Sequence, residues 1–163
     1  MRLELGIKPP EEGDLRIYWT EDRQAWIFHF SLPGLLPIYD QANRQLREVR
    51  KEIRDYKAEL GMKIFALLQE RGLEKNHPFE ESFIYIVHCF PNLIESDLDN
   101  RGRKYVMDAF RSSGLLLKDS WTHLSFAEKG LYDKGNGHTE VFLAPERYAA
   151  EVFLSIQKDS RIT

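Results

Sequence analysis

Ser82 to Phe90 reads SFIYIVHCF, and its apolar residues fall on both alternating faces rather than on one. That pattern marks a central strand covered on two sides, because a strand with one wet face alternates. Upstream, Leu15, Ile17 and Trp19 alternate with polar neighbours, as do Leu3, Leu5 and Ile7 in RLELGI. Both stretches predict half-buried strands, joined as a hairpin through KPPEEG. Ala25 to Leu32, AWIFHFSL, predicts a third strand, which PGLLP breaks.

From Asn43 to about Arg71, Leu46, Val49, Ile53, Tyr56, Leu60, Ile64 and Leu67 recur three and four apart, the spacing of a long amphipathic helix. Its charges segregate. Arg47, Arg50, Lys51, Arg54 and Lys57 share one flank, and Glu48, Glu52, Asp55 and Glu59 the other. The basic flank suits a phosphate backbone; its plain alternative is a solvated face balanced by the acids. A second helix is expected to be capped by Asp99 or Asn100, to bury Tyr105, Val106, Ala109 and Phe110, and to end at Gly114. Its other side aligns Arg101, Lys104, Asp108 and Arg111. Trp121 to Leu131 and His138 to Leu143 predict two strands joined as a hairpin by DKGNG. A last helix should start near Pro145, with Tyr148, Ala149, Val152, Phe153 and Ile156 inward.

The expected fold is therefore α+β, a single domain over 1–163 with residues 1–24 as an N-terminal strand extension. Its mixed sheet of about five to six strands packs against the long helix, the second helix and the C-terminal helix. The chain has 163 residues and is 42% hydrophobic and 30% charged, which excludes a disordered chain and a large multidomain enzyme. Its formal charge of -3 excludes a wholly cationic nucleic-acid binder, so such binding must come from a local patch. The single cysteine, Cys89, rules out an internal disulfide and a cysteine-rich zinc site. With no apolar run of bilayer length and no apolar core in MRLELGIKPP, the expectation is a cytoplasmic protein without membrane attachment.

The chemistry-bearing residues lie between Asp97 and Asp119, in DLDNRGRKYVMDAFRSSGLLLKD. If that segment starts extended, Asp97 and Asp99 point to one side with Cα atoms about 6.5 to 7 Å apart. Two carboxylates so placed can share a hard divalent cation, and Asp119 could close the site. Lys104 could stabilise charge on phosphoryl oxygens or on a leaving group. The plain alternative is that Asp97 and Asp99 are helix-start residues. His29 and His88 read as satisfied core histidines, Cys89 as packing, and Tyr148 and Phe153 as core or dimer contacts.

The same segment resembles the signature of the RusA family of Holliday-junction resolvases. In that signature D-x-D-N opens a helix, a lysine follows, then Asp-Ala, then Gly and apolar residues ending in an acid. Here these are Asp97, Asp99 and Asn100, then Lys104, Asp108 and Ala109, then Gly114 and Asp119. SLPGLLPIYDQANR and the charged helix after it are similar to the family's opening strand, loop and first helix, and the likeness continues into the closing strands. One extra residue within Arg101 to Arg103 precedes the lysine, so Arg103 competes with Lys104. Lys118 stands where the family often has a second acid, and NLIES carries Glu95 where basic residues can occur. The resemblance implies a homodimeric endonuclease that makes paired cuts at four-way DNA junctions in recombination and repair. It further implies Mg2+ (Mn2+ may substitute) held by Asp97, Asp99 and Asp119, with Lys104 as catalytic base or charge stabiliser. Arg44, Arg47, Arg50, Lys51, Arg54, Arg101, Arg103 and Arg111 are the expected DNA contacts. Two rival readings compete with this one. A phosphatase with an aspartyl nucleophile is disfavoured because Pro91 and the residues after it separate Phe90 from Asp97. A RusA-like scaffold that binds branched nucleic acid or a protein without cutting is the stronger alternative.

Overall fold

The structure is a computed structural model that describes residues 15–20, 25–38, 46–70, 72, 79–99 and 101–157. In chain order the elements are β1 (Leu15–Thr20), β2 (Ala25–Pro33), α1 (Arg47–Glu70), β3 (Ser82–Phe90), α2 (Arg103–Ser112), β4 (Leu124–Tyr132), β5 (His138–Pro145) and α3 (Ala149–Gln157). A single 3-10 turn, Glu146–Tyr148, leads into α3. The class is α+β with one mixed sheet of strand order β1-β2-β5-β3-β4. The strand expected in RLELGI lies outside the described residues, so the hairpin that is seen joins β1 to β2, with Trp19 opposite Trp26.

The double-sided apolar pattern of Ser82 to Phe90 has its cause here. β3 is inside the sheet, antiparallel to β5 and parallel to β4, and every residue from Ser82 to Cys89 is buried. This corrects the expected hairpin between the last two strands. β4 and β5 do not pair with each other; β3 stands between them. The DKGNG segment accordingly bonds back to the end of β3, with Asp133 N–H donating to the Phe90 carbonyl at 2.9 Å and Gly135 N–H to the Pro91 carbonyl at 3.0 Å. Gly135 has φ 74°, a conformation that a side chain would strain. Parallel pairing of β3 with β4 needs a long crossover, and the chain supplies it by running through α2 between them.

The elements form two compact units. The first holds the whole sheet, the 3-10 turn and α3. One face of its sheet carries Ile27, Tyr85, Val87, Phe142 and Ala144, and Val152 of α3 closes this cluster. On the other face Phe28, Phe30, Ile84, Ile86, Val141 and Leu143 are each 0% exposed. Burying an aliphatic or aromatic side chain of this size is worth about 1.5–3 kcal/mol, which makes these rows the unit's main source of stability. Of the residues expected inward on the last helix, Val152 is buried, Tyr148 and Ala149 are half-buried, and Phe153 is exposed, although its ring lies 5.2 Å from that of Tyr85.

The second unit holds α1, α2 and the segments before and after α2. Leu60, Gly61, Ile64 and Leu68 are the buried face of α1. Gly61 permits the close packing of α1 on α2, because a Cβ there would stand 3.1 Å from Ser112 Oγ. Among the described residues no helix is long and apolar enough to cross a membrane.

Candidate functional site

Helix α2 is amphipathic in the expected sense. Tyr105, Val106, Met107, Ala109 and Phe110 are buried, Lys104 and Arg111 are exposed, and Asp108 is half-buried between them. Gly114, at φ 81°, ends the helix and lets Leu115 N–H return to the Phe110 carbonyl at 2.9 Å. The start differs from expectation. The N-cap is Gly102, with no side-chain capping bond, and the helix begins at Arg103, so neither Asp99 nor Asn100 is the cap. The reason is a tertiary contact. Gly102 N–H donates to the Pro37 carbonyl at 2.7 Å, and Arg101 forms an isolated antiparallel bridge with Ile38. A Cβ on Gly102 would come within 2.4 Å of the Tyr105 ring and 2.8 Å of the Pro37 oxygen, so only glycine fits this close backbone crossing. Lys104 therefore sits in the first turn of α2.

This start changes what the acids are available for. Asp97 and Asp99 are both exposed, on a segment without regular structure that ends before the helix. Asp119 is tied to α2: Arg111 Nη1 donates to Asp119 Oδ1 at 3.3 Å. Arg111 Nη2 also lies 3.7 Å from Asp108 Oδ1, and Lys57 Nζ of α1 donates to Asp108 Oδ2 at 3.2 Å. The result is a chain of alternating charge, Lys57 to Asp108 to Arg111 to Asp119. Arg111, an expected DNA contact, and Lys57, of the basic flank, each hold an acid in this chain. Charge complementarity was a visible signal, but the pairing of α1 with α2 was not.

Arg101, another expected DNA contact, is half-buried and donates Nη1 to the Leu36 carbonyl at 3.4 Å. Arg103 is half-buried. On α1, Arg47, Arg50, Lys51 and Arg54 are all exposed, and Arg54 Nε is 3.6 Å from Asp55. Arg44 lies outside the described residues. Burial, helped by the charge of Glu59, pushes the Tyr56 phenol up to about 12, so it stays neutral at physiological pH.

The carboxylates match the implied metal only in part. Mg2+ prefers oxygen donors and is commonly held by one or two carboxylates together with water and substrate phosphate. Asp97 and Asp99, exposed and two residues apart, fit that donor chemistry. Among the described residues, however, no three His, Cys, Asp or Glu side chains are grouped to hold a metal ion. Asp119 is engaged with Arg111 and is not assembled with the other two.

The sheet unit contains a buried polar cluster that the sequence did not reveal. Glu140 of β5 sits opposite Ser31 of β2. Its carboxylate lies 2.5 Å from His29 Nε2 and 3.2 Å from His138 Nε2, and accepts from Ser31 Oγ at 3.1 Å. Burial pushes the Glu140 carboxyl up, but the hydrogen bonds from His138 and His29 outweigh it and hold the group at about 2. His138 is pushed up to about 11 by Cys89, its cross-strand neighbour, and by Glu140, against the opposing effect of burial. His88, fully buried, meets Glu128 through Nε2 at 3.3 Å. No family model matches the chain, and no match is found among curated proteins.

Proposed function

We propose that the chain is a metal-dependent endonuclease that cuts branched DNA, four-way junctions in particular, and acts as a homodimer in the cytoplasm during recombination and repair. The observation that carries this reading is that the N-cap of helix α2 is Gly102, so that neither Asp99 nor Asn100 holds that position. Asp97 and Asp99 therefore do not occupy the N-cap and lie exposed just ahead of a helix start bearing Lys104. Mg2+ or Mn2+, when bound, would polarise the scissile phosphate and acidify a coordinated water. Asp97 and Asp99 would hold that ion, and Asp119, which is not grouped with them here, would join as the third donor when metal and substrate bind. Lys104 would neutralise phosphoryl charge, aided by the positive end of the helix, where backbone N–H groups favour anions. Arg111 would orient Asp119.

The test is a synthetic four-way junction in the presence of Mg2+ or Mn2+. Nicking by the wild type, with Asp99→Asn abolishing cleavage while junction binding persists, is the expected result. Absence of both binding and cleavage would refute the proposal. The second reading, a RusA-like scaffold that binds without cutting, draws on the engagement of Asp119 with Arg111. Junction binding by the wild type with no cleavage in either metal would select it.

A further inference from the structure

Trp121 is 91% exposed, more than any other large hydrophobic residue among those described. The sequence predicts it as the first residue of a strand, yet β4 starts only at Leu124. Trp121 instead occupies the second position of a turn closed by His123 N–H donating to the Ser120 carbonyl at 2.9 Å. Three side chains lock that turn. Ser120 Oγ lies 2.9 Å from Thr122 Oγ1 and 3.0 Å from His123 Nδ1, and Thr122 Oγ1 lies 2.7 Å from the same nitrogen. The indole is thus presented on a braced support that does not itself cover the ring.

Two features indicate the occupant. The ring's chain neighbours are Lys118, Asp119, Ser120 and Thr122, all polar, while Leu115 and Leu116 are buried and Leu117 is half-buried. This segment therefore offers no broad apolar patch of the few hundred Å2 that a protein partner would cover. It offers one flat aromatic surface the size of a nucleobase, with hydroxyl groups and a lysine at its edge. Trp121 is also two residues from Asp119, so their Cα atoms are separated by at most about 7 Å. A phosphodiester held at that acid brings its own bases within reach of the indole.

We propose that Trp121 is a stacking platform for an unpaired base next to the cleaved phosphodiester, and that it makes the enzyme prefer branched or single-stranded DNA to continuous duplex. This inference rests on the nuclease reading above. Bases in an intact duplex are already stacked on both faces, whereas those at a branch point or in a single strand expose a π face. Stacking a base on an aromatic side chain is sequence-tolerant, so Trp121 would select for structure and not for base identity. The preformed turn lowers the ordering cost of that contact.

The experiment measures binding of wild type, Trp121→Ala and Trp121→Phe to a labelled four-way junction, a single strand and a matched duplex in EDTA. Trp121→Ala should weaken junction and single-strand binding roughly 5- to 150-fold and leave duplex binding unchanged. Trp121→Phe should retain most of the affinity, while the quenching of intrinsic fluorescence that the single strand causes in the wild type should disappear. The affinity ratio of wild type to alanine variant should be the same at 50 and 200 mM salt, approximately, because stacking releases no counterions. An exposed side chain supports no core, so the melting temperature of each variant should equal that of the wild type. Wild-type binding to the junction with Trp121→Ala within twofold of it on every DNA would overturn the platform and leave the nuclease reading standing. Failure of the wild type to bind any branched or single-stranded DNA would overturn both.

Discussion

Replacing Glu140 by glutamine tests how the sheet unit tolerates charge in its interior. The substitution keeps size and hydrogen-bonding shape but removes the negative charge that faces His29, His138 and Ser31. In the folded protein Glu140 titrates at about 2 against an ordinary value of 4.5, so its ionised form adds stability above the unfolded value that is lost as pH falls through the folded one. Converted at about 1.4 kcal/mol per pH unit, that displacement corresponds to about 3 kcal/mol. Removing one partner from a buried pair independently costs about 3–5 kcal/mol, because the other charge stays behind. The sign for His138 is opposite: its folded value, about 11, lies above 6.5, so its contribution is complete below 6.5 and lost as pH rises towards 11. Both contributions are therefore complete between 4.5 and 6.5. Urea denaturation of wild type and Glu140→Gln at intervals from pH 3 to 9 reads the difference. The expected result is a loss of about 3 kcal/mol near pH 5.5 that narrows towards acid, where the wild type loses its own carboxylate. A variant within about 1 kcal/mol of the wild type across the range would show that the cluster is not an ionised network.

Two further predictions concern the candidate site. Arg111→Ala should cost less than about 1 kcal/mol of stability, because its ion pairs are largely exposed. If Arg111 acts by orienting Asp119, cleavage should nevertheless fall roughly 10- to 100-fold and half-saturation should move to higher Mg2+, whereas a purely structural role would leave the metal dependence unchanged. Lys104→Ala should lower kcat roughly 10²- to 10³-fold, and Arg103→Ala should have the smaller effect, as a half-buried residue should beside an exposed one. Single-turnover cleavage of a four-way junction separates them, and the reverse ranking would transfer the cationic role to Arg103.

The sequence was most informative where a residue's environment depends on its near neighbours. SFIYIVHCF announced an interior strand because both of its faces are apolar, and α1 announced itself through spacing that only a helix can satisfy. Legibility ended where distant segments decide. The DKGNG turn chemistry suggested a hairpin, but turn residues do not record that β3 lies between the flanking strands. Asp99 and Asn100 are good capping residues, yet the Pro37 carbonyl holds Gly102 and fixes the helix start there. Nothing in the sequence around Glu140 marks its partners; the register of β2 against β5 brings Ser31 and His29 to it. The acidic signature itself was legible; the attachment of Asp119 to Arg111 was not, since it depends on how the chain returns after Gly114.

Charge is handled differently in the two units, and this bears on the net charge of -3. In the sheet unit Glu140 is buried against two imidazoles and cannot exchange partners without leaving a charge in the interior. In the helical unit the acids divide. Asp108 and Asp119 are neutralised by Lys57 and Arg111, while Asp97 and Asp99 remain on the surface. Exposed cations such as Arg47, Lys51 and Lys104 can trade water for phosphate. A negative total is therefore compatible with the proposed DNA binding, because at distances beyond about 10 Å salt screens the remaining acids and a polyanion would meet the local surface. On the nuclease proposal, Mg2+ at the exposed pair would reduce the negative charge further where a scissile phosphate would approach.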